Sequence, residues 1–136
     1  MNLNFKISEL IQSETAIRHN INNMPDINSL DNMLDLIYYC LQPIRDKIKK
    51  PMIITSGYRN SEVNKLVGGV ANSQHTKGQA VDFIINGMTV EQIINFIKTN
   101  NIEFDQLIGE YNKNSKWVHI SYVKNNNRKQ VFNLKF

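Results

Sequence analysis

The chain reads as an α+β domain, with helices gathered mainly in its first half and a small antiparallel sheet mainly behind them. Three observations carry that reading. Leu30, Leu34, Ile37, Leu41 and Ile44 recur at alternating spacings of four and three, the period of one helix face. After residue 50, short runs rich in β-branched and aromatic residues are cut by Gly, Asn and Pro. The last three of these runs follow one another closely, as the strands of an antiparallel meander do.

Taken in order, residues 7–11 predict a short helix with Ser8 as its cap. Residues 20–28, which include Pro25, predict a loop. Ser29 or Asp31 then caps the long helix, because a short polar side chain can accept the N–H groups that a helix start leaves unpaired. Pro43 has no N–H to donate and is expected to kink that helix near its end. Residues 52–55 form a strand after Pro51, and Ser56-Gly-Tyr-Arg59 turns out of it. Residues 61–66 make a short helix that Gly68-Gly69 ends, and a loop runs from there to Gly78. Residues 79–85 alternate as a strand, broken by Asn86-Gly87. Thr89 caps a helix reaching residue 99, with Glu91 or Gln92 in its first turn and Ile93, Ile94, Phe96 and Ile97 on its apolar side. Residues 104–111, 117–123 and 130–134 are three further strands, the last two joined by a turn at Asn125, Asn126 and Asn127.

Bulk properties narrow the function classes. At 136 residues the chain is expected to form one domain, spanning residues 1–136, with a core that needs no covalent staples. Cys40 is the one cysteine, so neither an internal disulfide nor a cysteine-rich metal knot is available; within its apolar pattern it reads as a small buried hydrophobe. The net charge of +4, from 16 Lys+Arg against 12 Asp+Glu, is spread thinly, with Lys47, Lys49 and Lys50 the densest run. Such an excess aids solubility and suits an anionic polymer. No basic helix and no aromatic-plus-glycine RNA motif is present, so a nucleic-acid partner is not expected. The start lacks the basic residues and apolar run of a secretory signal, and no stretch approaches the ~20 apolar residues of a membrane span. The expectation is a monomer made in the cytoplasm without a signal peptide and without a membrane partner.

The chemistry concentrates in two stretches. Residues 73–82 read S-Q-H-T-K-G-Q-A-V-D, and residues 117–122 read W-V-H-I-S-Y. Side chains alternate along a strand, so Ala80, Asp82 and Ile84 share one face, as do Trp117, His119 and Ser121. A carboxylate between Val81 and Phe83 is costly to bury unless it is paired or bound to metal. His119 sits likewise between Val118 and Ile120. His75 comes from the preceding loop, which Gly78 lets turn back tightly. Two imidazoles and a carboxylate that converge can hold one zinc ion and leave its fourth position to water. The residues alone leave other readings open: a satisfied core histidine, an Asp82 paired with Arg59, or another divalent metal. His19 has no partner at ligand spacing and reads as a surface or structural residue.

The pattern S-x-H-x-x-G-x-A-x-D followed by W-x-H resembles the zinc D-Ala-D-Ala carboxypeptidases and their L-Ala-D-Glu endopeptidase relatives, which share a fold with the hedgehog signalling domain. Ser73, His75, Gly78, Ala80 and Asp82 fill the five fixed positions of the first motif. Ser56-Gly-Tyr-Arg59 is similar to the S-G-Y-R segment of that family. I-S-E-L-I-Q-S-E-T-A at residues 7–16 and F-D-Q-L-I-G-E at residues 104–110 resemble a small single-domain branch common in bacteriophages and prophages. The likeness covers nearly the whole chain. It implies His75, Asp82 and His119 as ligands of one zinc ion, with Arg59 polarising the scissile carbonyl or steadying the oxyanion. It also implies that Ser73 bonds the substrate's backbone or terminal carboxylate. The implied activity is hydrolysis of a peptide bond in a peptidoglycan stem peptide by a metal-activated water. The protein would then act on the wall after release from the cell, or as part of a phage particle.

The chain departs from several relatives at one place. They carry the general base as Glu three residues before the last histidine; here Lys116 stands there, and an ammonium cannot serve as a carboxylate base. Glu110 is the best substitute, because it ends a strand just before the hairpin that returns through Trp117. Asp105, at the far end of that strand, is a weaker candidate. Trp117 is the candidate wall of the substrate cleft, against a competing place in the core. Lys116 also motivates a second reading, a zinc-dependent wall-binding module without turnover.

Overall fold

The structure is a computed structural model, described here for residues 3–136. Helix α1 (Ile7–Ile11) begins two residues earlier than a Ser8 cap requires: Lys6 is the N-cap, and the Glu9 carboxylate accepts the Lys6 backbone N–H at 2.9 Å. A short helix α2 (Glu14–Arg18) follows, capped by the Ser13 hydroxyl, which accepts the Ala16 N–H at 3.1 Å. The sequence pattern did not reveal it, because Ala16 is its one buried residue and no apolar stripe marks it. Asp26, rather than Ser29 or Asp31, caps α3 (Ile27–Leu36), accepting the Ser29 N–H at 2.7 Å.

The long helix does not run straight. It widens into a π-helical turn at Ile37–Leu41 before α4 (Gln42–Ile48). Pro43 lies at the start of α4, where its missing N–H leaves a carbonyl of the turn before it without the usual donor. The extra residue in the turn rotates the buried face. Leu34, expected in the apolar stripe, is 46% exposed, while Met33, Leu36, Ile37, Cys40, Leu41 and Ile44 are buried.

Strands β1 (Ile53–Ser56), β2 (Ala80–Ile84), β3 (Gln106–Tyr111), β4 (Lys116–Ser121) and β5 (Gln130–Lys135) form one sheet in the order β1-β2-β4-β3-β5. Three of its pairings are antiparallel, but β5 lies beside β3 and parallel to it. The expected three-strand meander is therefore corrected: β5 does not pair with β4. Asp105 explains the choice. Its carboxylate accepts the Arg128 backbone N–H at 2.8 Å, and its carbonyl accepts the Gln130 N–H at 2.9 Å. These bonds pin the start of β5 to the start of β3, so the two strands run the same way.

The sheet has two unlike faces. Val81, Phe83, Leu107, Val118 and Ile120 are fully buried in the core with Met33 and Leu36 of the long helix and with α6 (Val90–Thr99). Burying each such side chain contributes about 1.5–3 kcal/mol before chain entropy is charged against it. Helix α6 starts at the expected Thr89, with Gln92 completing a capping box. The other face carries the row Ser56, Asp82, His119 and Ile108, set side by side by strand register. Two short elements border that row: α5 (Ser61–Leu66), capped by Asn60, and a 3-10 turn at Gln74–Lys77 inside the expected loop.

Candidate metal centre

Asp82 and His119 are direct cross-strand partners on β2 and β4, on the face away from the helical core. His75 reaches them from the 3-10 turn, whose end is set by Gly78 at φ +71°. A Cβ on Gly78 would run into the Ser29 carbonyl, so this turn needs both the left-handed backbone and the missing side chain. The Gly57 carbonyl accepts from His75 Nδ1 at 2.8 Å. A carbonyl only accepts, so Nδ1 carries a proton and Nε2 is the nitrogen turned toward the centre, the one that would ligate a metal once deprotonated. Arg59 N–H donating to the His75 carbonyl at 3.1 Å holds the turn against the strand that precedes it.

The donor atoms then lie close together. His75 Nε2 is 3.4 Å and His119 Nδ1 is 3.0 Å from Asp82 Oδ1, and one donor atom from each of the three residues falls within 4.8 Å of the others. A tetrahedral ion with ligands at 2.0–2.1 Å sets its ligands ~3.3–3.4 Å apart, so each imidazole already stands near that spacing from Asp82. His75, Asp82 and His119 are 3%, 7% and 8% exposed, which keeps bulk water from competing for them. Burial alone would raise the Asp82 carboxyl, but the His75 and His119 imidazoles beside it outweigh that and hold it well below the usual carboxylate range. Asp82 is thus ionised and able to bind a cation.

Two further groups border the triad. Arg59 points its Nη2 toward Asp82 Oδ2 at 3.8 Å, while Nε donates to Ser56 Oγ at 3.3 Å and Nη1 to Asn64 Oδ1 at 3.1 Å. Glu110 Oε1 lies 3.7 Å from His119 Nδ1. Burial raises the Glu110 carboxyl, and the nearby Asp82 charge raises it further. The sequence pattern of the peptidase M15 family matches residues 3–121. The chain belongs to the peptidase M15 family. Members of that family are zinc-dependent, in keeping with the triad's fit. No curated protein matches the chain.

Other residues of this M15 peptidase fall into place around the centre. The triad, Glu110 and Trp117 line one cleft of about 660 Å³. Trp117 is half-buried and stacks on Phe136, with ring centroids 6.3 Å apart and planes 9° from parallel, so it belongs to the cleft wall and not the core. Ser73 lines the same cleft, and its hydroxyl oxygen also accepts the His75 N–H at 3.2 Å. Asp105 lies elsewhere: it is 1% exposed and committed to Arg128 and to Gln74, whose Nε2 donates to it at 2.9 Å. Lys116 is exposed and pairs with Tyr111. An offset of three along a strand puts a side chain on the opposite face, so Lys116 points away from His119 and toward the side of Glu91 on α6.

Three contributors were not anticipated. Asn64, 3% exposed, is the partner that steadies Arg59. Leu134 and Phe136 line the cleft from beyond the segment that the family pattern matches. An asparagine in a short helix and apolar residues in a last strand are too ordinary to stand out in a sequence.

Proposed function

We propose that this M15 peptidase hydrolyses a peptide bond in peptidoglycan stem peptides, with one zinc ion held by His75, Asp82 and His119. The observation that carries the reading is the convergence of three buried donors within 4.8 Å of one another, on the wall of a cleft that Glu110 and Arg59 also line. Support for the substrate class comes from the S-x-H-x-x-G-x-A-x-D and W-x-H motifs, which resemble those of stem-peptide carboxypeptidases and endopeptidases. Access to the wall would come by release from the cell or as part of a phage particle.

Zinc bound here would supply Lewis acidity, lowering the pKa of a water and polarising the scissile carbonyl. The chain's own groups do the rest. Glu110 is placed to take the proton of the attacking water on Oε1 and to return it to the leaving amine; a raised carboxyl is better matched to that exchange near neutral pH. Arg59, fixed by Ser56 and Asn64, presents a guanidinium edge to the carbonyl oxygen as negative charge develops there. The Ser73 hydroxyl is oriented by its bond from the His75 N–H and keeps its own hydrogen for a substrate carbonyl or carboxylate. Trp117 supplies one wall of the cleft and excludes water from it.

The reading is tested by metal analysis combined with digestion of purified muropeptides. One zinc per chain and cleavage of the stem are expected, and His75→Ala should lose both. Zinc-free protein, or a His75→Ala variant with unchanged activity, contradicts the proposal. The module without turnover rested on Lys116; with that side chain on the other face and Glu110 beside His119, turnover is the better-supported reading.

A further inference from the structure

We infer that the substrate chain passes through the centre instead of ending at it, so that the bond cut is an internal one of the stem peptide. This deepens the peptidase reading and rests on it. The cleft that contains His75, His119 and Glu110 does not stop at the triad. A second cleft of about 630 Å³ adjoins it, walled by Gln12, Glu14 and Arg18 from the α1–α2 region and by Ser56 of β1. Arg59, Val67 and Asp82 line both clefts. Arg59 and Asp82 therefore form a saddle shared by two grooves of nearly equal size, with His75, His119 and Glu110 lining the first of them.

The charges point the same way. A carboxypeptidase must hold the terminal carboxylate of its substrate, and a fixed, uncompensated cation close to the reacting bond is the economical means. Among the described residues, no lysine lines either groove. Arg128 is bound by Asp105, with Nη2 at 2.6 Å and Nε at 3.0 Å from its oxygens. Arg59 is divided among Ser56, Asn64 and Asp82. Arg18 shares its groove with Glu9 and Glu14, whose charges oppose an anion there. A neutral backbone crossing the saddle meets no such opposition and can occupy both grooves at once.

The test uses zinc-loaded protein and a muropeptide carrying the stem L-Ala-D-Glu-L-Lys-D-Ala-D-Ala, with its C-terminus either a free acid or an amide. Mass spectrometry should show a stem split at an internal bond, at rates within about threefold for the two forms. A site built around the terminal carboxylate would reject the amide by roughly 100-fold or more. Release of terminal D-Ala from the free acid alone overturns this inference and leaves the peptidase reading standing. Cleavage of neither form overturns both.

Two further measurements hold the groove itself to account. Gln12→Trp fills the second groove without touching the triad, and should lower kcat/KM for internal cleavage by roughly tenfold or more, with zinc content and thermal midpoint unchanged. An unchanged kcat/KM contradicts the inference. In zinc-loaded Glu110→Gln protein, the amidated peptide should shift backbone amide resonances on both sides of the saddle, at residues 12–18 and at residues 68–74. Shifts confined to one side contradict it too.

Discussion

At the scale of single residues, strand parity decides most of the chemistry. Asp82 and His119 were legible because an inward polar side chain between two apolar neighbours has to be satisfied, and the alternation of a strand assigns both to one face. The same parity places Glu110 toward the centre and Lys116 away from it. Lys116 still departs from the relatives' Glu at that spacing, but its side chain lies on the other face and takes no place at the centre. Replacing the proposed base tests the assignment: Glu110→Gln keeps shape and metal ligands, so zinc should remain stoichiometric while kcat falls about 10²–10⁴-fold. Full activity in that variant would move the base elsewhere.

Asp105 carries a different kind of prediction. It is almost fully buried and receives hydrogen bonds from the Arg128 backbone, the Arg128 guanidinium and Gln74. Burial acts to raise its carboxyl, but those bonds prevail and hold it below the usual range. The folded value lies under the unfolded one of about 3.9. The resulting stability is thus fully present above pH ~4 and fades as pH falls through the folded value. Arg128→Ala should cost about 2 kcal/mol at neutral pH, because it leaves a buried carboxylate short of partners. It should also flatten the loss of stability between neutral pH and pH ~3. Urea unfolding across that range measures both.

At the scale of elements, existence was easier to read than boundaries. The strands and α6 stand within a few residues of where alternation and the Thr89 cap place them. Helix starts were harder. Asp26, Ser29 and Asp31 are all chemically fit to cap, and only the packing of α3 on the core chooses among them. The π-helical turn before Pro43 was likewise out of reach, since proline announces a lost hydrogen bond but not how the chain absorbs it. Gly78 was read correctly as a turn, and the structure adds the reason why no other residue serves: positive φ and the Ser29 carbonyl close beside it. Gly78→Ala should therefore destabilise the fold by about 2 kcal/mol or more. It should also weaken zinc binding, because His75 hangs on that turn. A metal titration that shows wild-type affinity would contradict this account of the turn.

At the scale of the whole molecule, neighbour relations were the least legible. Strand patterns say that a segment is extended, not which strand it joins. Residues 122–129 are long enough either to close a hairpin on β4 or to cross to β3, and the Asp105–Arg128 clamp selects the second. That choice brings Leu134 and Phe136 to the cleft, although they lie beyond the match to the family pattern. The proposed centre would also tie the molecule together, since one ion held there would join β2, β4 and the turn before β2. Zinc at 100 times its Kd should add about 2.7 kcal/mol to folding stability. Chelation should then lower the thermal midpoint, and restored zinc should recover it.

The most direct measurement is diffraction on zinc-loaded crystals at energies on either side of the zinc absorption edge. One anomalous peak is predicted, within about 2.0–2.2 Å of His75 Nε2, Asp82 Oδ1 and His119 Nδ1. A peak at other residues, or none at full zinc occupancy of the protein in solution, would contradict the claim that these three side chains form the metal centre.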